Sequence, residues 1–266
     1  MISTADPVRV YEDFATLDLL SNGRTEIILG RGAFLESFSL FGASLNDYDE
    51  LFEEKLHLFM RLQNDEVANW QGKFRPPLRN AQIAPRPVQS KIPLWIGVGG
   101  NPASAVRAGK LGVNMALGLL SGRPESVKHL ADLYWESAKE AGHDLSKLRV
   151  SVTGHAYIAA SGEQACQEFL PHYNRYFGYF LRERGQHFRT TIELLRAQRA
   201  ANRILAIGSP EELAEKILYQ HELFGHTRFM GQFDMGGQPL HRIEKAIDLL
   251  ANQVAPIVRK ALAAKV

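Results

Sequence analysis

The chain has 266 residues, 45% of them hydrophobic, and a formal net charge of +2, which is enough for one large α/β domain and leaves two small ones open. Its apolar runs stay below the ~18 residues of a membrane span, MISTADPVRV carries no export signal, and no basic stripe breaks the near-neutral charge, so membrane and nucleic-acid partners are set aside. A lone Cys166 forms no internal disulfide, in keeping with a cytoplasmic location.

In chain order, hydrophobic periodicity predicts a helix over 7–20, a strand over 25–30 and a helix over 46–62. A strand over 94–98, a helix over 102–111, a strand over 113–118 and a helix over 125–141 follow. The remainder reads as a strand over 148–158, helices over 162–183 and 210–224, a strand over 227–233 and a helix over 241–263. Asn46, Asn101 and Ser209 are start signals, each followed by Pro or acids in the first turn. Strands alternating with helices imply a parallel sheet with right-handed crossovers, either a TIM-type barrel or a doubly wound sheet. The stretch 65–93 breaks this rhythm with Trp70, Gly72, Phe74 and five of the twelve prolines, and is expected to be irregular or a short hairpin. It either shapes a substrate pocket or only connects. Neither a repeat nor a linker divides the chain, so 1–266 is expected to form a single domain.

Two Gly-bearing turns follow apolar strands. In IILGRG, Gly30 and Gly32 flank Arg31, a side chain suited to bidentate phosphate contact. In LWIGVGGNPAS, Gly97, Gly99 and Gly100 permit close backbone approach, and Asn101 and Ser104 stand where a helix presents its positive end. Together they fit a phosphorylated cofactor; singly, each also fits an ordinary strand-to-helix connection. A Rossmann turn is the weaker reading, because Pro102 occupies the sixth position of the G-x-G-x-x-G pattern.

His155, mid-strand in VTGHAYIA, is either a pocket donor or a buried structural histidine. Phe34 either lines a cavity or packs in the core. The other histidines lack ligand spacing, so no metal is expected. The acidic residues Asp47, Asp49, Glu53 and Glu54 read as an exposed helix face or helix start, and the arginine-rich stretch 182–203 as a solvated helical face in preference to an anion or partner site.

SNGRTEIILGRG, NDYDELFEEKLHLF, WQGKFRPP, APRPVQSKIPLWIGVGG, LYWESAKEAGHD and IGSPEELAEKIL, in this order, resemble the bacterial luciferase-like, flavin-dependent monooxygenases. The resemblance implies a (β/α)8 barrel that binds reduced FMN, or in related branches F420, at the C-terminal ends of its strands. It places Arg31 on the flavin phosphate after the family's fourth strand, and Gly99, Gly100, Asn101 and Ser104 on a second phosphate-binding turn after the fifth. It further implies oxygen and a small organic molecule as substrates, a separate flavin reductase and a homodimer. MISTADPVRV resembles the end of the family's third strand, so strands one, two and most of three are expected to be absent, with the histidine and cis peptide they carry. An inactive flavin-binding or subunit-pairing barrel is the alternative that this departure raises.

Overall fold

Apolar β-rich runs bounded by Gly or Pro become strands of one parallel sheet, and the amphipathic segments between them pack as helices on one face of it. The computed structural model describes residues 1–32, 36–120, 122–182 and 185–264. The first half contains α1 (Pro7–Ser21), β1 (Ile27–Leu29), α2 (Glu36–Leu40), α3 (Tyr48–Asn64), the hairpin β2 (Val67–Trp70) and β3 (Leu78–Gln82), and β4 (Leu94–Val98). It continues through α4 (Pro102–Lys110), β5 (Asn114–Leu119), α5 (Lys128–Glu140), β6 (Val150–Ile158) and α6 (Gly162–Arg182). The last part contains α7 (Ile192–Ala197), β7 (Ala206–Gly208), α8 (Pro210–Phe224), β8 (Arg228–Gln232), α9 (Leu240–Leu249) and α10 (Ala255–Ala263).

The sheet runs β1-β4-β5-β6, and β6 pairs with both β8 and β7, all in parallel. Register and the period of two sort the side chains. Ile27, Leu29, Leu94, Ile96, Met115, Leu117, Val150 and Val152 join the helices in one buried core. Ile28, Trp95, Gly97, Ala116, Gly118, Thr153, His155 and Met230 share the opposite, inner face. A second core forms where α6, α8 and α9 meet the C-terminal half of β6 and β7. The architecture is thus an α/β fold with a curled parallel sheet, part of a barrel. Glu26, just before β1, accepts hydrogen bonds from Arg228 of β8 at 2.7 Å through both carboxylate oxygens and from Trp95 Nε1 at 2.6 Å. This links the two outlying strands of the curl.

Local chemistry explains the helix ends. Asp6 accepts from Val8 N at 2.8 Å ahead of Pro7, and Ser209 and Glu212 form a reciprocal capping box at α8. The expected start at Asn46 shifts: Ser44 caps a 3₁₀ turn (Leu45–Asp47) that runs into α3. The C-terminal helix expected over 241–263 is interrupted by a π-helical turn (Leu250–Val254), after which Pro256 has no N–H for the carbonyl of Asn252. The stretch 65–93 holds the β2–β3 hairpin, tied to α3 because Glu54 accepts from Lys73 N at 2.6 Å and Phe74 N at 3.1 Å.

The arginine-rich stretch 182–203 is not one solvated helical face. It contains the short helix α7, and two of its arginines are ion-paired, Arg196 with Glu163 at 2.5 Å and Arg199 with Glu212. Among the described residues no helix is long and apolar enough to cross a membrane, and no group of three or more His, Cys, Asp or Glu could hold a metal.

Candidate active site

β1 and β4 are parallel neighbours with Leu29 opposite Ile96. The two Gly-bearing turns therefore leave the sheet side by side at the C-terminal ends of the strands. Arg31 Nη2 donates to Ser104 Oγ at 3.0 Å, joining residues 73 positions apart. Its Nη1 donates to Asp49 Oδ1 at 2.6 Å, and the guanidinium lies 5.1 Å from the centre of the Tyr48 ring. Tyr48 in turn donates its hydroxyl to the Gly32 carbonyl at 3.2 Å. Ser104 is buried, and the Arg31 side chain is only 16% exposed. The arginine is thus held flat against a wall before any anion arrives.

Gly100 has φ +127°, a conformation L side chains rarely adopt, and a Cβ placed there would meet nothing within 4 Å. That open space adjoins the N-terminus of α4. Asn101 spends its side chain on the helix, accepting from Ala103 N at 2.9 Å. Among the described residues the N–H groups of Gly100 and Asn101 donate to no acceptor. A guanidinium, a hydroxyl, free N–H donors and a helix N-terminus suit a phosphate in number and in sign.

Gly99 links this turn to Leu120. A Cβ on it would lie 3.6 Å from Leu120 Cδ1, and Leu120 lines a cavity of about 510 Å³ between β6, α6 and α7. His155 lines the same cavity from the inner face of β6. Its ring packs edge-on against Tyr176 at 5.4 Å and Phe177 at 5.3 Å, and Nδ1 is buried without a partner. Burial lowers its pKa, and a side-chain hydrogen bond with Gln232 acts more weakly the other way, so the imidazole is neutral near pH 7. Phe34 lies outside the described residues.

Tyr48 and Asp49 do not stand out in the sequence. Both sit at the start of α3, where acids serve the helix dipole, and only tertiary packing turns them toward Arg31. Glu53, also read as solvated, pairs with Arg107 of α4 at 2.5 Å and ties α3 to the helix that follows the second Gly-bearing turn.

Parallel strands whose C-terminal ends bring Arg31 and Ser104 together beside an apolar cavity define a barrel-type α/β protein. The chain belongs to the luciferase-like monooxygenase family, whose sequence pattern matches residues 1–227. The alkanal monooxygenase alpha chain of Photorhabdus laumondii is 25% identical over 288 residues, covering 98% of this chain and 77% of that one. Monooxygenase RslO1 from Streptomyces bottropensis superposes with a TM-score of 0.81 at 22% identity, over 96% of this chain and 75% of its own. The oxygenating constituent of 3,6-diketocamphane monooxygenase from Pseudomonas putida, solved with FMN, gives a TM-score of 0.71 at 18% identity, over 96% and 77%.

Proposed function

We propose that this chain is a flavin-dependent monooxygenase that binds reduced FMN through Arg31, Ser104 and the Gly99-Gly100-Asn101 turn. The observation that carries the reading is the Arg31–Ser104 hydrogen bond, which merges two separately encoded turns into one anion cradle. Bound reduced flavin supplies two electrons to O2, so that one oxygen atom goes to a small organic substrate and the other leaves as water.

The residues of this chain bind, orient and exclude water. Arg31 and Ser104 hold the phosphate, and Asp49 and Tyr48 keep the guanidinium flat in its absence. The inner-face strip Gly97, Ala116 and Gly118 leaves room over the sheet for a flat group, since a Cβ on Gly97 or Gly118 would meet only ordinary contacts at 3.5 Å or more. The apolar cavity beyond Leu120 would hold the substrate away from water. A separate reductase is the partner expected to deliver the reduced flavin, as the description of the diketocamphane protein as an oxygenating constituent supports. The reading extends to one domain working in the cytoplasm as a homodimer, which light scattering on the purified chain would test: a monomer refutes the dimer.

FMN fluorescence titration tests the cofactor assignment, with F420 run in parallel. Saturable FMN binding at micromolar Kd or better is expected, followed by reductase-dependent oxygen uptake. Binding of F420 alone would reassign the cofactor, and binding of neither would refute the proposal.

A further inference from the structure

We propose that the cavity between β6, α6 and α7 selects a neutral, planar aromatic substrate bearing a hydroxyl or carbonyl oxygen, an inference that rests on the flavin-dependent reading above. The aromatic stripe of α6 divides along its length. Phe169 is fully buried and stacks on Tyr157 at 5.5 Å, so that end is core. Tyr173, Phe177 and Phe180, one, two and three turns further on, are only half-buried and face the 510 Å³ hollow. The hollow opens to solvent beside Leu120 and Leu194, both more than half exposed, and drug-sized ligands occupy pockets of this size.

The wall has ring geometry. Tyr173 and Phe177 stand 4.7 Å apart, and Phe188 closes on both at 5.6 and 5.1 Å. Interplanar angles of 51°, 67° and 39° present edges as well as faces, which is how aromatic groups receive another flat ring. Leu119, Leu120 and Ile204 supply an aliphatic surface across the cavity.

The polar groups are sparse and uncharged. No Asp, Glu, Lys or Arg lines the cavity among the described residues. A carboxylate or ammonium ligand would find no counter-charge among these lining residues. The Tyr173 hydroxyl makes no hydrogen bond among the described residues, and burial is the sole cause of its raised pKa. With the neutral His155, which lines the same hollow, it brings a hydroxyl donor and a ring acceptor to the wall. Leu120 places a ligand in this hollow next to the anion cradle, so the ring would lie beside the flavin.

The test uses the purified chain with 2-naphthol, 2-naphthoate and n-decanol as probes, read by calorimetry, and FMN titrated separately. The expected result is one-site binding of 2-naphthol at least ~10-fold tighter than either comparator. Tyr173→Phe should weaken 2-naphthol by ~3- to 10-fold, the worth of one hydrogen bond. Leu194→Trp, at an exposed lining position, should obstruct the cavity and weaken 2-naphthol by ~10-fold or more while leaving the FMN Kd unchanged. Decanol or naphthoate binding as tightly as 2-naphthol would overturn the inference, as would both variants binding 2-naphthol like the parent. Binding of 2-naphthol without FMN would support the cavity assignment and refute the flavin reading; FMN binding without 2-naphthol would do the reverse.

Discussion

Replacing Arg31 by alanine separates a phosphate site from a general flavin pocket. In the free protein its two terminal nitrogens are engaged by Ser104 Oγ at 3.0 Å and by Asp49 Oδ1 at 2.6 Å. The Asp49 side chain is 69% exposed, so that ion pair is worth only ~0–1 kcal/mol and yields readily to a competing anion. Two charge-assisted bonds from the guanidinium to a phosphate contribute about 1.5–3 kcal/mol each. After the released Asp49 contact is subtracted, Arg31→Ala should cost about 2–6 kcal/mol, or roughly 30- to 25,000-fold in FMN Kd. Riboflavin has the same ring and no phosphate, and its Kd should change by less than about 3-fold. Asp49→Asn should move FMN affinity the other way, by ~2- to 5-fold at low salt, with the gain vanishing at high salt. Fluorescence quenching of both flavins measures all of this on protein whose melting temperature shows it remains folded. Equal losses for FMN and riboflavin would sink the phosphate assignment.

Lys216 is fully buried, donates to the carbonyls of Gln198 and Leu205 at 2.6 Å each, and has its pKa lowered by burial to about 7. The unfolded chain therefore holds this proton between pH ~7 and the ordinary value of 10.5 while the folded one does not, and stability should rise with pH across that window at up to ~1.4 kcal/mol per unit. Lys216→Met should flatten the rise in urea midpoints between pH 7.5 and 10. Burial likewise lowers buried His226 to about 4 from 6.5, so its contribution to stability should fall as pH drops through that interval, by ~3 kcal/mol at most. A parent and a His226→Gln variant with the same pH slope in their urea midpoints would contradict this. Glu26→Ala leaves Arg228 and the Trp95 N–H without their acceptor, and with both charged side chains about a third exposed the expected loss is ~1–3 kcal/mol in urea unfolding.

Strands β4, β5, β6 and β8 are legible in the sequence because each is an apolar run closed by Gly, Asn or a helix cap. β7 is not, because Ala206-Ile207-Gly208 is too short for any period and pairs only with the end of β6. Half of the anion site is equally legible: Arg31, Gly100 and Ser104 stand in local patterns with known backbone geometry, and the fold brings Arg31 and Ser104 into contact. Asn101 is legible as a cap, which is where its side chain is spent. The aromatic cavity is hidden for a different reason. Periodicity marks the face of α6 that turns inward, but Phe169 and Phe177 have the same pattern, and only packing distinguishes the filled end from the hollow one. Glu26 and Arg228 lie 202 positions apart, where no local pattern can connect them.

That distant pair has a mechanical consequence. By joining the outlying strands β1 and β8, it fixes the chord of an arc whose middle is β4, β5 and β6. From Glu26 the chain reaches Arg31 in five residues, three of them strand β1, a span of at most ~17 Å. Loosening the pair would let β1 swing as a lever, displacing the guanidinium relative to the cavity behind Leu120 and changing the aperture between the two. On the proposed reading, the spacing of cofactor phosphate and substrate ring would then be set at the opposite end of the sheet, by residues that touch neither.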